Sequence, residues 1–189
     1  MTNRTFRAPG AVALLFCFLV PFVHAQQSSN PAVLTFNELV ELYENDDPSP
    51  ELSNKLNRLL TTPFVSNSAG NRPAKSIKTT SGTIGPYVRI ATWNIERGLE
   101  FDAVRAALAN DQRFFRRLSP AARSSKFNLT SVLQQAAELS RADVIVLNEV
   151  DWGLKRTDYR NVAKELAAAL RMNYAYGVEF VEVDPLTLG

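Results

Sequence analysis

Apolar and polar positions along the chain follow two periods, and the change from one to the other divides it. In 26–60 the apolar residues keep helical spacing. Thr35-Phe36-Asn37-Glu38 has the form of a capping box, in which the Thr35 and Glu38 side chains each satisfy a free backbone amide ahead of Leu39, Val40 and Leu42. Ser49 as N-cap, with Pro50 in the first helical position, starts a second helix through Leu52, Leu56, Leu59 and Leu60. Together these predict a short helical hairpin. Ser, Thr, Asn, Gly and Pro dominate 61–86, which reads as a linker or surface wrap.

Beyond it the period changes. Val88-Arg89-Ile90-Ala91-Thr92-Trp93 alternates ahead of Asn94, as a strand with one buried face does. Phe101, Val104 and Leu108 recur at helical intervals, and so do Leu129, Val132, Leu133, Ala136 and Ala137, with Asn128 as a candidate N-cap. The run Asp143 to Glu149 is rich in β-branched residues and reads as a strand buried on both faces. Ala163, Leu166, Ala167 and Leu170 mark another helix, begun near Asp158, and Asn173 to Val183 reads as a third strand. Strand, helices, strand, helix, strand is an α/β layered order, and the crossovers are long enough for parallel pairing.

The N-terminus changes what composition means. Arg4 and Arg7 precede an apolar run from Ala11 to Phe22, broken by Pro21, and Val23-His24-Ala25 offers small residues before Gln26. That is the order of a signal peptide, 1–25, cleaved after Ala25, so the mature chain is expected to be secreted or periplasmic with no membrane span. The run is too short to cross a bilayer comfortably. An uncleaved anchor is the main rival, and a lipoprotein reading of Cys17 is poor because bulky Phe16 precedes it. With 46% apolar and 21% charged residues the 189-residue chain is globular in composition. Its charge of +2 falls to near zero once Arg4 and Arg7 are removed. Its one cysteine, Cys17, and one histidine, His24, leave with the same segment. A disulfide scaffold, a Cys/His zinc site, a cysteine nucleophile and a histidine-dependent triad are thereby excluded from the mature chain.

Two residues then stand out by position. Asn94 and Glu149 lie at or just past the C-terminal ends of two predicted strands, where α/β sheets place their chemistry. An amide carbonyl and a carboxylate are both hard oxygen donors, and Mg²⁺ takes one or two protein carboxylates while keeping water and substrate phosphate in its other positions. A cation so held can withdraw charge from a phosphoryl oxygen.

The surrounding motifs carry a resemblance. Ile90-Ala91-Thr92-Trp93-Asn94-Ile95, with Glu96-Arg97-Gly98 after it, resembles the first motif of the endonuclease/exonuclease/phosphatase superfamily, whose fold is shared with DNase I. Val146-Leu147-Asn148-Glu149-Val150-Asp151 resembles its second motif, with Asn148 where the family usually has Gln. The stretch Trp152 to Gly177, including Arg156-Thr157, is similar to secreted bacterial members. The resemblance implies that Asn94 and Glu149 help bind a catalytic Mg²⁺ (or Mn²⁺). It also implies that 87–189 is the N-terminal portion of an α/β (α+β) domain, part of a DNase I-like α/β/β/α four-layer sandwich. The family's later motifs, an Asp-x-Asn pair and an Asp-His pair that supplies the general base, have no counterpart before Gly189. The expectation is therefore an N-terminal fragment of a secreted Mg²⁺-dependent phosphoesterase, inactive alone, acting on a phosphate ester of undetermined type. A non-catalytic secreted module and an inert truncated product stay open beside it.

Remaining features have plainer readings. Asp151 and Arg156 are the catalytic candidates, Asp151 with Glu96 and Asp158 as proton acceptors and Arg156 as a phosphate contact, but an ion pair of Arg156 with Asp151 or Asp158 competes. Arg113, Arg116, Arg117, Arg123 and Lys126 surround Phe114 and Phe115; a solvated face with two core phenylalanines is favoured over a nucleic-acid contact, which the near-neutral charge does not support. Glu38, Glu41, Glu44, Asp46 and Asp47 read as a solvated face and turn, and Trp93 and Trp152 as packing residues. Asn128-Leu129-Thr130 matches a glycosylation sequon that serves equally as a helix start.

Overall fold

A computed structural model describes residues 30–71, 80–81, 85–120, 123 and 129–184. The proposed signal peptide, the Asn128 cap and sequon and Lys126 lie outside the described residues. The molecule is mixed α/β, with six helices and three small two-stranded sheets among the described residues.

Helix α1 (Phe36–Glu44) begins as the sequence requires: Glu38 N–H donates to Thr35 Oγ1, and Thr35 N–H donates to the Glu38 carboxylate at 2.6 Å. Helix α2 (Pro50–Thr61) starts with Ser49 Oγ accepting from Leu52 N–H and with Pro50 in the first turn. The hairpin is closed by charge. Lys55 Nζ lies 2.7 Å from the Glu38 carboxylate, and Glu41 accepts from Ser49 N–H at 2.9 Å. Two members of the acidic run thus serve the turn and the helix pair, in keeping with the structural reading of that run.

The described residues of 61–86 include regular elements. They contain the last residue of α2 and strand β1 (Phe64–Ser66), then β2 (Thr80–Ser81) and β3 (Gly85–Pro86), which pair with each other antiparallel. Strand β1 pairs antiparallel with β6 (Tyr174–Tyr176), in the register Phe64↔Tyr176 and Ser66↔Tyr174. Trp152 meets Phe64 and Tyr176 edge to face at the join, with ring centroids 4.5 and 5.6 Å away, and Phe64 and Tyr176 lie tilted at 6.5 Å. A segment rich in turn-forming residues still yields a strand at Phe64-Val65-Ser66 because Phe64 has this aromatic pocket to fill. The third strand expected over 173–183 is correspondingly short: only Tyr174–Tyr176 finds a partner, and 177–184 has no regular structure.

The principal sheet pairs β4 (Ile90–Arg97) with β5 (Val144–Val150), and the pairing is parallel, from Ile90↔Val144 to Asn94↔Asn148. Between them run α3 (Phe101–Leu108), the short α4 (Phe114–Arg117) and α5 (Leu129–Leu139). After β5 comes α6 (Val162–Leu170), capped by Asn161, whose side chain accepts from Lys164 N–H at 2.9 Å. Asp158 does not begin that helix; it closes a 3₁₀ turn in left-handed conformation.

The core lies on one side of this sheet. Ile95, Phe101, Val104, Leu108, Val162 and Leu166 form it, and Trp93, Ile145, Leu147 and Val150 pack against it. On the other side Ile90, Val144 and Val146 are 69%, 43% and 46% exposed. The reading of β5 as buried on both faces is therefore corrected. Its β-branched run supplies two apolar faces, but helices cover only one. Phe114 is half-buried and Phe115 is 40% exposed, so neither is a core residue. The basic residues around them are engaged on the surface, Arg113 with Asp111 and Arg117 with Asp102, and Arg123 lies over the Phe115 ring.

Where β4 turns towards α3, Gly98 has φ +87°, and a Cβ there would stand 2.9 Å from both γ-carbons of the fully buried Val162. Gly98→Ala is expected to lower unfolding free energy by about 2–4 kcal/mol, from left-handed strain plus overpacking, measurable by urea titration. A second expectation concerns acid. The Lys55 ammonium, aided by the Thr35 backbone and hydroxyl donors, holds the Glu38 carboxyl down at about 2, against an ordinary 4.5. A depressed carboxylate stabilises the folded form above its ordinary value and ceases to as pH falls towards the depressed one. Helicity in the hairpin should therefore decline between pH 4.5 and about 2, and Glu38→Gln should remove that step from a circular-dichroism titration.

Candidate metal centre

Regular alternation along a parallel pair would keep Asn94 and Glu149 apart. In β4 the residues Ile90, Thr92 and Asn94 share the open face and Trp93 and Ile95 the packed one. In β5 Ile145 and Leu147 face the helices, so the same rhythm would send Glu149 under them. That does not happen. From Asn94↔Asn148 to Arg97↔Val150, β4 advances three residues while β5 advances two, so β4 carries one extra residue, a β-bulge. Opposite it Glu149 has φ +50°, and Glu96, Arg97 and Gly98 are also left-handed, at +48°, +66° and +87°.

The result is a change of face. Glu149 is exposed, Val150 rather than Glu149 packs against the core, and Glu149 Oε1 accepts a 2.6 Å hydrogen bond from Asn94 Nδ2. The amide orientation is fixed by its second partner, since Glu96 N–H donates to Asn94 Oδ1 at 2.9 Å and an N–H can only donate. Left-handed backbone at non-glycine residues costs of order 1–3 kcal/mol each and collects at functional sites, where the surroundings over-determine it.

Both side chains carry oxygen donors, Asn94 Oδ1 and the Glu149 carboxylate, with Asn94 Nδ2 facing that carboxylate in this structure. Among the described residues Glu149 Oε2 takes no side-chain hydrogen bond, and Asn94 Oδ1 keeps one lone pair beyond the bond from Glu96. A carboxylate and an amide oxygen with open positions suit a Mg²⁺ or Mn²⁺ ion that retains its waters. No group of three or more His, Cys, Asp or Glu side chains converges as a metal site among the described residues.

The two catalytic candidates are spent on each other. Asp151, 7% exposed, receives a bidentate grip from Arg156, Nε to Oδ2 at 2.6 Å and Nη2 to Oδ1 at 2.9 Å. Arg156 also reaches Glu182 at 2.9 Å. The Asp151 carboxylate first, and Glu182 after it, push the guanidinium still further above its ordinary value. This is the ion pair that competes with a phosphate contact for Arg156. Asp158, with its side chain 88% exposed, is 4.0 Å from Arg160, and Glu96 is exposed beside Asn94. Trp152 packs in the aromatic trio and Trp93 against the core, as packing residues.

Residues absent from the sequence reading complete the surroundings. Tyr176 donates its hydroxyl to Val150 O at 2.9 Å, and burial pushes the pKa of that hydroxyl up. Glu182 lies 26 positions from Arg156, a separation that no local periodicity marks. A cavity of about 1130 Å³ opens along the unpaired edge of β5, lined by Asn148, Glu149, Asp151 and Arg156 but not by Asn94. Glu149 of the polar pair therefore borders this cavity.

The strain at Glu149 has a measurable consequence. Glu149→Gly should be more stable than Glu149→Val by about 1–2 kcal/mol, the reverse of the usual order in a strand, because valine resists positive φ. Denaturant unfolding of the two variants checks this. Comparison of the chain with protein-family models, with curated proteins and with solved structures found no match.

Proposed function

We propose that this chain carries the divalent-cation-binding part of a phosphoester hydrolase site of the endonuclease/exonuclease/phosphatase type, in a protein delivered to a secreted or periplasmic location. The observation that carries the reading is the left-handed Glu149, which turns its carboxylate out of the packed face to meet Asn94. The two motifs that bear the sequence resemblance are the two that converge there. One-sided packing supports the finer fold as well: a parallel pair with helices on one face and apolar Ile90, Val144 and Val146 on the other suits one half of a four-layer α/β/β/α sandwich. No helix among the described residues is long and apolar enough to cross a membrane.

In this reading Asn94 Oδ1 and Glu149 Oε2 would hold Mg²⁺ or Mn²⁺, which when bound polarises a phosphoryl oxygen and orients an attacking water. Glu96 N–H and the Glu149 carboxylate hold the Asn94 amide with Nδ2 towards Glu149, so joint ligation would turn that amide over, and the bulge keeps Glu149 beside it. The substrate class is a phosphate ester. The family's general base is a histidine, and the one histidine of this chain, His24, lies outside the described residues. Asp151, a candidate proton acceptor, is held by Arg156 in this structure.

A second reading has its own observation. Asn94 and Glu149 satisfy each other, as do Asp151 and Arg156, so the same geometry serves a non-catalytic module in which these pairs only fasten the strand ends.

Manganese titration separates the two. Under the metal-site reading the folded chain binds Mn²⁺, and Asn94→Ala and Glu149→Gln each weaken binding by about tenfold or more with unchanged circular dichroism. The 189-residue chain is expected not to hydrolyse a chromogenic phosphodiester, for want of the base. Absence of Mn²⁺ binding, or equal binding by all three proteins, sinks the proposal in favour of the fastening role.

A further inference from the structure

The left-handed conformation of Glu149 needs something to hold it, and the polar contacts just beyond it identify the holder. Val150 O accepts from the Tyr176 hydroxyl at 2.9 Å. Every polar group of Asp151 is then engaged. Its N–H donates to Arg97 O at 3.1 Å, its carbonyl accepts from Val162 N–H at 3.3 Å, and its buried carboxylate lies in the fork of Arg156. Arg97 is itself left-handed and follows Asn94 by three positions, so Asp151 ties the end of β5 to the end of β4 directly across the bulge. Of these ties only the Arg156 fork is an ion pair, and it is two-pronged, which fixes orientation as well as distance. The same guanidinium binds Glu182, so it joins the strand ends to the 177–184 segment.

We propose that Arg156 is a positioning residue for the metal centre: by clamping Asp151 it holds Glu149 in the left-handed backbone conformation that turns its carboxylate to Asn94, and through Glu182 it makes that geometry depend on how the 177–184 segment is seated. The inference rests on the proposed metal-site reading for its functional consequence, but the backbone effect is measurable without metal. A lysine at 156 keeps the charge and loses the fork, so its single ammonium fixes the distance to Asp151 and not the orientation. Glu182→Gln removes the outer partner only.

The test uses the full chain and three variants: Arg156→Lys, Glu182→Gln, and the double variant Asp151→Ala/Arg156→Ala, which leaves no buried charge unpaired if the lysine variant fails to fold. The first readout is the strong intraresidue amide–α-proton nuclear Overhauser effect that a left-handed Glu149 gives; the second is Mn²⁺ affinity by calorimetry. Arg156→Lys, or the double variant in its place, should lose the Glu149 signal and weaken Mn²⁺ binding by about tenfold or more, as outer-shell changes do, with helical circular dichroism retained. Glu182→Gln should weaken it less and in the same direction. A folded Arg156→Lys protein, or a folded double variant, that keeps the Glu149 signal overturns the clamp. Wild-type protein that shows the signal but binds no Mn²⁺ overturns the metal-site reading, and the signal in the variants still decides the clamp.

Discussion

One surplus residue on β4 governs the geometry of this molecule. Between Asn94 and Arg97 the strand advances by three while its neighbour advances by two, and a pleated sheet can absorb that difference only by breaking its alternation. The break falls at Glu149, whose φ of +50° moves a carboxylate from the side of the helices to the side of Asn94. Burying that carboxylate unpaired under Ile95 and Val162 would cost several kcal/mol, comparable with the order of 1–3 kcal/mol for each left-handed non-glycine residue at the bend, Glu96, Arg97 and Glu149.

The rest of the architecture is arranged to sustain that bend. Val150 takes the core position that Glu149 leaves, and Gly98 lets the chain pass close enough to Val162 for α6 to seal the core. Immediately past the bend, Asp151 meets Arg97, Val162 and Arg156, so three separate elements converge on one residue. Buried ion pairs of this kind add little net stability, because desolvation offsets most of the attraction, but removing one partner leaves a costly unpaired charge. Their value here lies in geometry: a bidentate fork fixes where the end of β5 can sit.

The same one-sidedness explains the apolar surface that remains. Helices α3, α5 and α6 accompany only one face of the β4–β5 pair, and Ile90, Val144 and Val146 project from the other. The β1–β6 pair and the aromatic trio of Phe64, Trp152 and Tyr176 stand beside this unit and join the early part of the chain to its late part.

Local chemistry was legible in the amino-acid order. The capping box at Thr35–Glu38, the Ser49–Pro50 helix start, the helical spacing of Phe101, Val104 and Leu108 and the two strands bearing Asn94 and Glu149 all depend on interactions within a few residues, and the structure has them. Composition likewise excluded thiol and imidazole chemistry outside the first 25 positions. Other features were not legible, because their causes are distant. Phe64–Ser66 becomes a strand because Tyr174–Tyr176 lies beside it. The β-branched run of β5 cannot reveal that only one of its faces is covered, and no periodicity links Arg156 to Glu182. Above all, the strand rhythm that puts Ile145 and Leu147 under the helices would put Glu149 there too. Sequence thus determined which residues bear the oxygen donors, a property of residue type and strand order, whereas only tertiary structure decided that they meet, since a bulge is a mismatch between two strands and neither strand alone contains it.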